Sequence, residues 1–110
     1  MIHLIGDRAT PNQVNEMLEE LKSYMKLAVD VRRRVVAGGG ALHADCQAVL
    51  LDDGSEQVDI WGADWIPASG EVRFESLINI RPKQNNRSMT ITNSTLRALV
   101  EAIVRERLSQ

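Results

Sequence analysis

Leu42-His43-Ala44-Asp45-Cys46-Gln47-Ala48-Val49-Leu50-Leu51 is the stretch on which the fold turns, followed by Asp52-Asp53-Gly54-Ser55 and then Gln57 to Ile66. Read with a period of two, Leu42, Ala44, Cys46, Ala48 and Leu50 fall on one side. His43, Asp45 and Gln47 fall on the other. Asp-Gly between two such segments is a hairpin signal, because both residues tolerate the positive φ of a tight turn. The reading predicts paired strands over 42–51 and 57–66. A further strand is expected over Glu71 to Arg81, after a second turn at Pro67-Ala68-Ser69-Gly70.

Outward from this centre, Leu27 to Val36 is rich in β-branched residues and reads as another strand, as does the short run Ile2 to Ile5. Thr10-Pro11-Asn12-Gln13 combines a Thr cap, a first-turn Pro and a Gln three residues past the cap, a strong helix start. Val14, Met17, Leu18, Leu21 and Met25 continue it as an apolar stripe. Leu96, Leu99, Val100, Ile103, Val104 and Leu108 form a second stripe beyond a cap at Asn93 or Ser94. The expected fold is α+β, a mostly antiparallel sheet of four to five strands with two amphipathic helices on one face. Its order would be β-α-β-β-β-β-α, in a single domain over residues 1–110.

With 110 residues, 44% hydrophobic and 25% charged, the chain has an ordinary globular composition. The net charge of −2 disfavours non-specific nucleic-acid binding, which draws on neutralised phosphates. Arg32-Arg33-Arg34 is expected to be solvated or paired within the chain. One cysteine, Cys46, excludes an intrachain disulfide and suits a reducing compartment. No window is apolar enough for a membrane span, so a cytosolic setting is expected.

Simple hairpin registers place Asp64 opposite both His43 and Arg73, with Asp45 and Glu75 one row away across Gly62. His43, Asp45, Asp64 and Glu75 would then crowd three carboxylates and an imidazole onto one polar face, beside Arg73. Hard or borderline cations such as Mg²⁺, Mn²⁺ or Zn²⁺ take such ligands, and the same groups can move protons. The plainer alternative is a solvated sheet face with cross-strand ion pairs. On the opposite face, Trp61, Trp65, Phe74 and Cys46 read as core. Gly38-Gly39-Gly40 reads as a flexible connection, since it lacks the Lys-Ser/Thr of a phosphate loop. Arg81-Pro82-Lys83-Gln84-Asn85-Asn86-Arg87 reads as a turn, with Arg81 and Arg87, and Arg73 nearby, as a possible anion grip.

Three strings carry a resemblance: Ala37-Gly38-Gly39-Gly40 with Leu42-His43-Ala44-Asp45-Cys46; Asp59-Ile60-Trp61-Gly62-Ala63-Asp64-Trp65; and Phe74 to Pro82 with Asn85-Asn86-Arg87-Ser88. They resemble a family of short uncharacterised bacterial proteins. The resemblance implies a stand-alone bacterial domain and assigns no activity, cofactor or site residue.

The functional expectation is a small binding or interaction module that self-associates, through a sheet edge or the polar face. The alternative is a small metal-dependent hydrolase or nuclease using His43, Asp45, Asp64 and Glu75.

Overall fold

A computed structural model describes residues 1–110. Its elements run β1 (His3–Ile5), α1 (Pro11–Met17), β2 (Met25–Asp30), β3 (Val35–Gly40), α2 (His43–Asp52), β4 (Ile60–Ile66), β5 (Glu71–Arg73) and α3 (Ser94–Leu108). The five strands form one antiparallel sheet in the order β1-β3-β2-β4-β5. The α+β class and the antiparallel sheet are as expected. The second turn is as read too, since Asp64, Trp65 and Ile66 face Arg73, Val72 and Glu71.

Two units of the same kind explain the layering. β1 and β2 are parallel with β3 between them, and α1 joins them. β3 and β4 are parallel with β2 between them, and α2 joins them. The units run in opposite directions, so connections of the same hand put their helices on opposite faces of the sheet. One face carries α1 and α3 over a core of Val14, Met17, Leu27, Val29, Val36, Trp61, Trp65, Val100, Ile103 and Val104. The other carries α2 over a smaller cluster of Ala28, Ala37, Cys46, Leu50 and Ile60. Trp61 and Trp65 are core residues, at 4% and 5% exposure. Cys46 is buried, on the face opposite them, and burial pushes its thiol pKa up.

Residues 42–51 are thus helix where a strand was expected. The sequence fits both periods, because Leu42, Cys46, Val49 and Leu50 are also a helical stripe. Tertiary context decides. The sheet already has its hairpin at residues 31–34, and Ala28, Ala37 and Ile60 need a cover. Asp-Gly is a helix stop here. Gly54, at φ 99°, follows the C-cap Asp53, with Ser55 N–H donating to Leu50 O (3.0 Å) and Gly54 N–H to Leu51 O (3.1 Å). That is the Schellman pattern, which uses the same residues as a hairpin turn.

Smaller departures have local causes. The capping box at Thr10 forms as read (Gln13 N–H to Thr10 Oγ1, 3.1 Å; Thr10 N–H to Gln13 Oε1, 2.9 Å). Its helix stops at Met17, because Met25 joins Leu27 and Val29 in the strand alternation of β2. Residues 27–36 are two strands, split by a turn in which buried Asp30 Oδ1 accepts from the Arg32 and Arg33 amides, each 2.9 Å. Arg32, Arg33 and Arg34 pair with Asp59, Asp53 and Glu106, as an intramolecular reading predicted. The glycine run ends β3 instead of forming a loose connection. Gly39 adopts φ 106°, and a Cβ there would sit 2.2 Å from Met1 O.

Candidate functional site

Beyond Arg73 the expected long strand gives way to an irregular segment, residues 74–92, that lies against the outer edge of β4. Side chains replace the missing ladder. The Asn79 carboxamide acts as a surrogate peptide. Its Oδ1 accepts from Gly62 N–H (2.8 Å), and its Nδ2 donates to Gly62 O (3.0 Å), Phe74 O (3.1 Å) and Met89 O (3.1 Å). Asn86 Nδ2 donates to Asn79 O (2.7 Å), Ser88 O (3.0 Å) and Thr90 O (3.0 Å). Gly62 is required here, since a Cβ would meet Ser76 Cβ at 2.5 Å.

Arg81 belongs to this framework. Its Nε donates to Ile78 O (2.9 Å) and its Nη1 to Gln57 O (2.6 Å), while Nη2 donates to Ile60 O. Its guanidinium lies 4.7 Å from the Trp61 ring centroid. Burial lowers its pKa. Arg81 is therefore not free for the expected anion grip. Arg81 spends its donors on carbonyls that lack a strand partner, whereas Arg87 is exposed. The Asn-rich and Arg81-containing strings prove to be edge caps, a use of polar side chains that spacing alone does not reveal.

The expected polar face divides in two. On a helix, residues two apart diverge by about 200°, so His43 and Asp45 do not share a direction. Asp45 is exposed in the first turn of α2. His43 reaches Asp64 on β4, with Nε2 2.8 Å from Oδ1 and 3.1 Å from Ala63 O. Both neighbours are acceptors, so Nε2 carries the hydrogen. The two side chains are only 10% and 12% exposed. Arg73 is exposed and turned to Glu71, at 3.7 Å. No group of three or more His, Cys, Asp or Glu side chains stands in position to hold a metal ion. The proposed His43, Asp45, Asp64, Glu75 ligand set is corrected accordingly. It depended on 42–51 being a strand.

What does form is a cavity of about 370 Å³ with the His43–Asp64 pair in its wall, together with Lys26, Leu42, Glu75, Leu77 and Met89. Beyond Leu77 and Ile78, which line both, lies a groove of about 730 Å³ bordered by Val58, Ile80, Pro82 and Gln47. Leu77 is 72% exposed, Val58 58% and Leu42 57%. Lys26 and Met89 are not among the site residues expected from the sequence, and Leu42, expected on the apolar side, is exposed at the cavity. A signal did exist for Lys26, a lone cation in an apolar strand.

Residues 3–107 match a family model described as a protein of unknown function, DUF5674. The chain belongs to this family. The matched span runs from β1 into α3, so it includes both the cavity and the edge caps. No curated protein and no solved structure matches the chain. No helix is long and apolar enough to cross a membrane.

Proposed function

We propose that this chain is a binding module that pairs with a second copy of itself through the face bearing α2 and residues 74–92. The observation that carries the reading is where the exposed apolar side chains lie. Of the nine large hydrophobics left exposed, five (Leu42, Val58, Leu77, Ile80 and Met89) line the cavity or the adjoining groove. Apolar side chains scattered singly over a surface need no explanation, but a contiguous set marks an interaction site. The relief also suits self-pairing. Leu77 projects between two depressions, and under a two-fold axis the ridge of one copy can enter the groove of the other.

The sheet edges offer less. β1 and β5 are three residues each, and β5 begins at Glu71 and ends at Arg73, a short and charged edge of the kind that resists pairing. A net charge of −2 supports a protein partner over nucleic acid. The single buried thiol of Cys46 suits a cytosolic setting.

Light scattering across a concentration series tests the reading. A dimer mass that falls toward the monomer on dilution is expected. A monomer mass throughout, up to high micromolar chain, would overturn it.

A further inference from the structure

The charged groups around the 370 Å³ cavity are incompletely matched. Lys26 faces Asp64 directly across the β2–β4 ladder, yet Asp64 is taken by His43, and Lys26 forms no ion pair. Arg73 is the cation nearest in sequence to Glu75, yet it turns to Glu71, and Glu75 forms no ion pair either. The cavity is thus lined by an ammonium without a carboxylate and a carboxylate without a cation.

Two features add to this. Helix α2 has Leu42 at its N-cap, which supplies no side-chain acceptor. Its first residues, Leu42, His43 and Ala44, line the cavity, so the positive end of the helix adjoins Lys26 there. Apart from Ser76, the remaining lining is apolar: Leu42, Ala44, Leu77, Ile78 and Met89. The volume lies within the range of small-molecule sites, about 300–1,000 Å³.

We infer that this cavity binds a small zwitterion with an apolar body, of which an aliphatic α-amino acid is the simplest form. The carboxylate of the ligand meets Lys26 and the amide end of α2. Its ammonium meets Glu75 and the remaining lone pairs of Asp64. Its side chain lies against Leu77, Ile78 and Met89. The inference goes beyond self-pairing and does not depend on it.

Isothermal titration calorimetry with L-leucine, L-leucinamide, N-acetyl-L-leucine and glycine tests it on the full chain. Leucine is expected to bind. Removing either charge of the ligand should weaken binding about tenfold or more, as loss of a charge-assisted contact does. Glycine, with both charges and no body, should give no heat.

Variants cross the comparison. In Lys26→Met the gap between leucine and leucinamide should close while that between leucine and N-acetyl-leucine persists. In Glu75→Gln the pattern should reverse. Lys26→Arg should keep both gaps, which separates lost charge from lost folding, and a melt of each variant without ligand checks the latter.

No heat with leucine at millimolar concentration would overturn the inference, as would equal binding of leucine and its two blocked forms. Light scattering on the same samples separates the two proposals. A dimer that ignores leucine sinks only this inference, and a monomer that binds leucine sinks only the self-pairing.

Discussion

The two faces of the sheet are built from different materials. Under α1 and α3 the contacts are large and apolar, with Trp61, Trp65, Leu27, Ile103 and Val104 closing a continuous core. Under α2 and beside residues 74–92 the sheet offers Ala28, Ala37 and Gly62, and the gaps are filled by Asn79, Arg81, Asn86 and the His43–Asp64 pair. A face packed with small residues and polar caps closes less tightly, and it carries the His43–Asp64 cavity with the most exposed leucines, Leu77 and Leu42, while a shallower depression of about 480 Å³ opens beside α3 against Trp61, Leu96 and Leu99. Stability is concentrated on the first face, and the proposed recognition falls on the second.

The largest expected effect lies on the first face. Trp61→Ala removes a buried ring and the platform under Arg81, and should cost about 3–5 kcal/mol in denaturant melts. A loss near that for an exposed residue would place stability elsewhere and break the comparison.

Next comes the polar frame of the second face. Asn79→Ala leaves the Gly62 N–H and C=O without their partner, and should cost about 2–3 kcal/mol. Hydrogen exchange should show the Gly62 amide losing protection while the amides of α3 keep theirs. Gly62→Ala should cost about 1–3 kcal/mol through its clash with Ser76. If either change is neutral, the caps are incidental.

Smaller still is the effect of pH on the thiol on the buried side of α2. Burial raises the Cys46 pKa in the folded state, so the native protein holds this proton where the unfolded chain has released it. The contribution is fully present below the unfolded thiol's pKa and is lost as pH rises through the folded one. Melting at alkaline pH should therefore fall less steeply for Cys46→Ala than for wild type. Parallel profiles would mean that the thiol does not titrate on unfolding in this range.

The same division explains what could be read from the sequence. The first face obeys period rules. The Thr10 capping box, the 94–108 stripe and the tryptophan pair were each legible, as was the register of Asp64 with Arg73. The second face obeys none. Residues 42–51 satisfy both periods, and Asp53-Gly54 ends a helix as readily as it turns a hairpin. Asn79 and Arg81 make contacts fixed only by the path of a loop. The candidate site was legible in part for that reason. His43 and Asp64 do meet, but across a helix–sheet contact, while Asp45 and Arg73 depart from the set.

The smallest expected effect on stability belongs to Leu77, on the ridge between the cavity and the groove. Leu77→Asp alters an exposed side chain and should shift melting by no more than about 0.5 kcal/mol at dilutions where wild type is also monomeric. Leu4→Asp, at the open edge of β1, is its control. Light scattering of the three proteins at equal chain concentration is the most direct test that the second face is a recognition surface. A dimer is expected for wild type and Leu4→Asp and a monomer for Leu77→Asp. A monomeric wild type, or a dimer that survives Leu77→Asp and is lost in Leu4→Asp, would contradict that role for the second face.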